Sequence, residues 1–145
     1  MIIRRRKEMR EEGFSLIEVL LGIALMGIAM LGLAQLFVMS VWNNRRADII
    51  SNATFLAQQE IDTIRSLTPD ELSTLDVIQD ETIDVNQDGT NDFRRITTVD
   101  HNTFYYKVLV FGAEQISTDQ GALIADPAGN RVLAQMSTIV SRFGK

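Results

Sequence analysis

The fold is decided by the stretch GFSLIEVLLGIALMGIAMLGLAQLFVMSVW, which covers residues 13–42. Glu18 is its only charged residue, and residues 19–34 are wholly apolar or glycine. A helix of about 20 predominantly apolar residues crosses the hydrocarbon core of a bilayer. The stretch therefore predicts one transmembrane helix, provided that Gln35 is tolerated inside the bilayer.

Two other interpretations of this stretch fit it less well. A buried core helix would need covering on every side, and a chain of 145 residues is short for that. A secretory signal peptide has an apolar core of about 7–15 residues with a cleavage site after it, whereas this run is longer and its candidate processing site comes first. Five basic residues at positions 4–10, against Arg45 and Arg46 after the span, predict a cytoplasmic N-terminus.

Residues 13–21, GFSLIEVLL, closely resemble the type III signal shared by type IV prepilins and the pseudopilins of type II secretion. The resemblance covers roughly residues 4–67. It implies that a prepilin peptidase cuts between Gly13 and Phe14 and methylates the new amine of Phe14. It also implies a leader at 1–13, a transmembrane helix at 14–42 and an exported domain at 43–145. The protein would sit in the inner membrane with its N-terminus in the cytoplasm, and would then enter a pilus or pseudopilus.

Glu18 has a role that physical chemistry suggests independently. A carboxylate at membrane depth costs several kcal/mol unless it is paired or neutralised. Cleavage after Gly13 would create an amine on Phe14, four residues from Glu18, so that Glu18 of one subunit could pair with the Phe14 amine of a neighbour. The alternative is that Glu18 lies close enough to the helix start to reach the membrane interface.

The resemblance also suggests a function. Residues 31–34 and 56–60 look most like the minor pilins of the PilV type, which implies a structural minor subunit of a type IV pilus with other pilin subunits as partners. One alternative is a pseudopilin of a type II secretion system. Another is a membrane-anchored binding module that depends on calcium and never polymerises.

Beyond the span, the pattern predicts a helix followed by strands. Apolar residues recur three or four positions apart and predict one buried helical face, and Pro69 should end a helix that covers about 14–67. These residues are Ile50, Ala53, Ala57, Ile61 and Ile64. Runs rich in β-branched and aromatic residues at 95–99, 104–111 and 132–140 predict strands, with a turn at 126–130. The predicted fold is α+β and pilin-like: a long N-terminal helix, half in the membrane and half amphipathic, packed on a small antiparallel sheet of three or four strands.

One loop carries residues typical of a metal site. Residues 84–92, DVNQDGTND, place oxygen side chains at positions 1, 3, 5 and 9 and glycine at position 6, as in the calcium loop of an EF-hand. Thr90 at position 7 would offer its backbone carbonyl. The predicted Ca²⁺ ligands are Asp84, Asn86, Asp88, Thr90 and Asp92.

The same loop departs from the calcium pattern at position 12, which is Arg95 instead of a bidentate glutamate. The missing ligand would have to come from Asp80, Glu81 or Asp100. The alternative is an ordinary solvated turn, which Asp, Asn and Gly form readily.

Composition disfavours several other functions. There is no cysteine, so a disulfide or a thiolate metal site is ruled out. The net charge is −5, and since residues 1–13 carry five basic and three acidic residues, the remainder carries −7 and offers no surface for nucleic acid. His101 is the only histidine, and its polar surroundings predict an exposed loop residue. A protein that is not an enzyme is therefore expected.

Overall fold

The computed structural model describes residues 13–140, so the predicted leader apart from Gly13, and the last five residues, lie outside the described range. Within it, the helices are α1 (Leu16–Ser66), α2 (Pro69–Thr74) and α3 (Gln120–Ala125). The strands are β1 (Ile78–Ile83), β2 (Phe93–Asp100), β3 (Tyr105–Gly112) and β4 (Ala134–Ile139). The chain divides after Asn43 into two compact units.

The first unit contains the apolar part of α1. Its large apolar side chains are exposed on all sides of the helix, and an 18-residue window reaches a mean hydropathy of 2.4 with none of it buried. Among residues 13–140, α1 is the single helix whose length and composition would let it cross a membrane. A helix that is apolar all round requires an apolar environment, so this part of α1 fits membrane anchoring.

In the second unit, α1 buries a single stripe. Ala53, Leu56, Ala57, Ile61 and Ile64 are buried, which confirms the predicted face with Leu56 added to it. Ile50, also predicted for this face, is 41 % exposed, so that prediction was wrong at its first position.

α1 ends shortly before Pro69, as the sequence predicts. The helix stops at Ser66, and a capping box opens α2, because Thr68 accepts a bond from the Glu71 amide while the Glu71 carboxylate accepts from the Thr68 amide at 2.8 Å. The bonds that the Glu71 carboxylate accepts from the Thr68 amide and the Thr68 hydroxyl lower the pKa of Glu71. Pro69 then stands at the start of α2, where it sacrifices no hydrogen bond.

The sheet is an antiparallel meander in the order β1-β2-β3-β4. The three strands expected at 95–99, 104–111 and 132–140 correspond to β2, β3 and β4. The sequence does not predict β1 as a strand, because its residues, IQDETI, are mostly polar and are typical of a loop. The α+β fold class, with the long helix packed on a small antiparallel sheet, is confirmed.

Both faces of the sheet are covered. The inner face packs on α1 through a core that includes Val99, Tyr106, Val108 and Val110. The outer face carries a smaller core in which Ile96, Leu109 and Phe111 surround Leu123 of α3. This second layer explains why β3 is an almost continuous buried apolar run rather than an alternating one.

Two consecutive arginines on β2, Arg94 and Arg95, form ion pairs on opposite faces of the sheet, because successive strand residues point to opposite sides. Arg94 pairs with Asp80 at 2.6 Å and donates to the carbonyls of Gln115 and Thr118, which folds the segment after β3 around its guanidinium. The hydrogen bonds that Arg94 donates to the Asp80 carboxylate raise the pKa of Arg94 further, so this cation stays charged.

Arg95 connects the sheet to α1. Its guanidinium donates to the Leu56 carbonyl at 3.1 Å and pairs with Glu60 of α1 at 2.9 Å and with Glu81 of β1. The side chains of Arg95 and Glu60 are each only 13 % exposed. A charge pair so far out of water fixes where the helix sits along the sheet, because any shift would leave a buried charge alone.

We predict that Arg95→Gln lowers the free energy of unfolding by about 3 kcal/mol, since loss of one partner strands the Glu60 carboxylate. The matched control is Arg131→Gln, at an exposed position without a described carboxylate partner, which should change stability by less than about 0.5 kcal/mol. Urea unfolding of the detergent-solubilised protein measures both, and Glu60→Gln combined with Arg95→Gln should recover part of the loss. Equal losses of unfolding free energy in Arg95→Gln and Arg131→Gln would contradict the role given to Arg95.

Candidate functional site

The predicted cleavage site lies immediately before α1. Gly13, Phe14 and Ser15 precede the helix, which begins at Leu16 instead of the expected position 14, and Phe14 is 82 % exposed. The Ser15 carbonyl accepts the first helical bonds from the amides of Glu18 and Val19, at 3.0 and 3.2 Å. The peptide bond between Gly13 and Phe14 therefore belongs to a non-helical, exposed segment, which a peptidase could reach.

Gly13 itself is not required by the local structure. A Cβ atom built on Gly13 meets nothing within 4 Å, and its backbone does not occupy the left-handed region. Any requirement for glycine at this position would consequently come from an enzyme that recognises the site, not from folding.

Glu18 lies in the first turn of α1. Its side chain is exposed, and no cationic partner within the described residues pairs with it. A carboxylate in the first turn is favoured by the unpaired amide groups and the dipole of the helix. That contribution is small next to the cost of a carboxylate in hydrocarbon, so the helix dipole alone would not offset that cost.

The five residues predicted to bind calcium all lie in the exposed connection between β1 and β2. The hairpin is closed by the Asp92 amide, which donates to the Ile83 carbonyl at 2.9 Å, while the Val85 amide donates to the Asp92 carboxylate at 3.0 Å. Two residues of the loop adopt left-handed backbone, Gln87 at φ 59° and Gly89 at φ 89°. The glycine at position 6 is therefore used for its conformational freedom, as the pattern predicted.

The carboxylates of this loop bind the loop's own donors. Asp84 accepts from the amides of Gln87 and Gly89 at 2.7 and 2.8 Å. Asp88 accepts from the Thr90 amide at 2.8 Å, from the Thr90 hydroxyl and from the Asn86 side chain, and these bonds lower the pKa of Asp88. Across residues 13–140, no three Asp, Glu or His side chains are grouped so that they could hold a metal ion.

The residues suggested as the missing calcium ligand all have other partners. Asp80 is bound to Arg94 and Glu81 to Arg95. Asp100 lies at the far end of β2, where it accepts from the Asn102 amide at 2.9 Å and the Thr103 hydroxyl at 2.7 Å. The donor set suits a hard cation in its chemistry, but these carboxylates do not supply the two oxygens that a bidentate glutamate at position 12 would add.

His101 is in a loop, as expected, but it is only partly exposed. Its Nε2 lies 3.1 Å from the Leu75 carbonyl, so the ring ties the loop after β2 to the end of α2. Its role in the described structure is that of a packing and hydrogen-bonding residue.

Comparison with known proteins identifies the N-terminal segment. The profile of one family, described as the prokaryotic N-terminal methylation motif, matches residues 9–34. This motif is the signal of type IV pilins and pseudopilins, proteins that are structural rather than catalytic. No curated protein and no solved structure matches the chain.

The match and the fold together define the class. The methylation motif stands at the head of α1, and the later part of the same helix packs on a four-stranded antiparallel sheet. Together these features support a type IV pilin-like or pseudopilin-like role. The motif covers only the N-terminal part of the chain, so the particular kind of subunit is a separate question.

Calcium binding by residues 84–92 stays a prediction, and the structure sharpens its test. Calcium at about ten times a Kd in the weak range of 10⁻⁴–10⁻³ M should stabilise the protein by about 1.4 kcal/mol, because ligand binds only the folded state. The expected rise in melting temperature is several degrees between chelator and about 10 mM calcium. Asp88→Asn, which keeps the shape of the side chain and removes its charge, should abolish that rise.

Asp84→Ala is a poorer variant for this purpose. It removes an acceptor for two backbone amides, so it should lower stability in chelator as well. A matched control is Asp70→Asn, outside the loop, which should leave the calcium response intact. Identical melting of the unaltered protein in chelator and in calcium would show that the loop is a self-capped turn.

Proposed function

We propose that this chain is a structural minor subunit of a type IV pilus. In this proposal the leader 1–13 is removed by a prepilin peptidase, the amine of Phe14 is methylated, and the mature subunit assembles through α1 with other pilin subunits. The observation that carries the proposal is the methylation motif at residues 9–34, placed on a helix whose apolar side chains are exposed on every side.

The proposed location follows from the charge distribution. The basic leader holds the N-terminus in the cytoplasm, residues 14–42 cross the inner membrane once, and residues 43–145 lie outside it. The exported part contains no cysteine, so its stability rests on the two cores and on the ion pairs of Arg94 and Arg95.

Glu18 would set the register of assembly. Before cleavage Phe14 has no free α-amine, and among residues 13–140 Glu18 has no cationic partner at the edge of the apolar segment. After cleavage, the amine of Phe14 on a neighbouring subunit offers an opposite charge at the same depth. A single buried pair among apolar helices is a strong determinant of register, because every other register leaves two charges in hydrocarbon.

The second candidate is a pseudopilin of a type II secretion system, which the same motif supports equally. Deletion of the gene separates the two functions, since loss of surface pili with normal secretion favours the pilin, and retention of secreted enzymes inside the cell favours the pseudopilin. A calcium-dependent anchored module that never polymerises is favoured only by the loop at 84–92, and it predicts a protein that stays in membranes without filament partners.

We predict that the mature protein begins at N-methylated Phe14. Mass spectrometry of subunits from sheared filaments should find a chain that lacks residues 1–13 and carries one added methyl group. Gly13→Val should block the cut, and because the site has room for the new side chain, the variant should fold and insert normally. Ser51→Val is the matched control, because it introduces the same side chain at an exposed position of α1 away from the cleavage site. A filament subunit that still begins at Met1 would contradict the proposal.

We also predict that Glu18→Ala leaves membrane insertion intact, since it removes a costly group from the apolar segment. Incorporation into filaments should fall by tenfold or more, because the amine of a neighbour would lose a partner worth at least about 1.4 kcal/mol. The ratio of filament-borne to membrane-borne protein on immunoblots measures the effect. Gln35→Ala is the control for removal of a polar group from the same helix, and normal incorporation of the Glu18 variant would refute the pairing.

A further inference from the structure

The two edges of the sheet differ in how well they are protected against a further strand. β1 and β4 are the edge strands, so each leaves one row of backbone amides and carbonyls without a strand partner within residues 13–140. β1 carries Asp80 and Glu81, and charged residues on an edge strand discourage pairing with other chains. β4, with the sequence AQMSTI, has no charged residue, no proline and no glycine. In the described sheet, β4 is therefore the edge that is open to a further strand.

The register identifies the backbone groups that point away from the sheet. The Val140 amide donates to the Phe104 carbonyl at 3.1 Å, and the next pair along the two strands is Tyr105 with Ile139. Opposite residues of antiparallel strands alternate between bonded and non-bonded pairs, so every second residue of β4 bonds to β3. The residues between them direct their amides and carbonyls outward. These outward-facing residues are Gln135, Ser137 and Ile139.

The side chains beside this edge differ between the two faces of the sheet. On the outer face, Ile139 is 68 % exposed. Thr138 points to the inner face, where its hydroxyl accepts from Nε and Nη2 of Arg65 at 3.2 and 3.1 Å. No carboxylate among residues 13–140 pairs with Arg65. A strand laid beside β4 would consequently meet a cation on the inner face and an apolar side chain on the outer face.

We propose that the β4 edge binds an extended segment of a different protein, which adds a fifth strand to the sheet. A carboxylate of that segment would meet Arg65, and an apolar side chain would cover Ile139. Because Thr138 and Ile139 are consecutive and side chains alternate between faces, these two residues of the segment would be adjacent in its sequence. In strand addition, main-chain hydrogen bonds supply affinity and alternate side chains supply specificity. The proposal goes beyond assembly through α1, because it uses another surface.

A second copy of this chain does not offer the required strand at either of its own edges. Another β4 edge would bring a second Arg65 and no carboxylate. The carboxylates of β1 are already bound, Asp80 by Arg94 and Glu81 by Arg95. The free charge of Arg65 therefore favours a partner with a different sequence, as expected for a minor subunit that works among other proteins.

Photocross-linking in the cells that make the protein tests the contact. Gln135 of the full-length chain is replaced by a benzophenone amino acid, and mass spectrometry maps the peptide that becomes joined to it. We expect a product with a different protein, mapped to a segment that has Asp or Glu next to an apolar residue. The same benzophenone amino acid at Thr82, an exposed position on the β1 edge, should not give this product.

A proline at Ser137 tests whether main-chain hydrogen bonds hold the added strand. The Ser137 amide faces away from β3, so Ser137→Pro removes a donor to the new strand and none from the sheet. The yield of the cross-linked product should fall about tenfold. Ser137→Ala keeps the amide and is the matched control, which should retain the product, and equal melting temperatures would show that both variants are folded. Equal yields from the two variants would overturn the proposal.

Charge reversal tests the side-chain contact without touching the backbone of β4. Arg65→Glu should lower the yield about fivefold, the effect of an ion pair at a partly exposed site. Lysine in place of the mapped carboxylate of the partner should restore the yield. Arg65→Lys, which keeps the charge, should retain most of the product. An unchanged yield with Arg65→Glu would refute the predicted pairing.

The identity of the product decides between the possible occupants. A cross-link to a second copy, or to residues 141–145 of the same chain, would overturn the proposal, as would the absence of any product. Mass spectrometry of the same samples reports separately whether the chain begins at Phe14. A processed chain without the product would refute the edge contact alone. The product formed by an unprocessed chain would support the edge contact and refute the proposed function.

Discussion

The structure of the second unit depends on how closely α1 approaches the inner face of the sheet. Ala53 and Ala57, both fully buried, face the strands where larger side chains would hold the helix away. Their small size lets Leu56, Ile61 and Ile64 pack among Val108, Val110 and Tyr106 in one core. Sliding the helix by one turn would bring Glu60 and Arg65 to the core positions of Leu56 and Ile61, so the apolar packing itself favours one position along the helix axis. Arg95 reinforces that position through the Leu56 carbonyl and Glu60.

The paired arginines also explain how an acidic, mostly polar strand can be part of the sheet. β1 has little apolar surface to bury, and only Gln79 and Ile83 among its six residues are half-buried while the other four are exposed. Arg94 holds Asp80 on one face, and Arg95 holds Glu81 on the other. Each arginine has a second attachment, to the carbonyls after β3 or to α1, so the strand is bound to both layers that cover the sheet. Charge pairing here does what apolar burial does for β3.

The connection between β1 and β2 shows how one sequence pattern serves two chemistries. Alternate Asp and Asn side chains, with glycine at the sixth position, can present oxygens to a cation or can cap the amides of a sharp turn. In this structure the capping role is fulfilled in detail, with Asp84 and Asp88 each accepting several bonds. Position 12 is occupied by a residue that is itself a cation and that points toward α1 and β1. A cation would compete with these internal donors, which is the physical reason to expect weak binding if it occurs.

The sequence alone determined the class of the molecule, because its signals are local. An uninterrupted apolar run, a cleavage motif before it, an apolar stripe at helical spacing and Pro69 each depend on residues close together in the chain. β2, β3 and β4 were predictable for the same reason. The tertiary structure alone decided that the polar segment IQDETI is a strand and that Ile50 is not buried against the sheet. It also decided that Arg95, which stands where a calcium loop has its glutamate, connects the sheet to α1. These features depend on partners between 14 and 39 residues away along the chain, Asp80 for Arg94 and Leu56 for Arg95, and no local pattern encodes which distant carboxylate or carbonyl a guanidinium will meet.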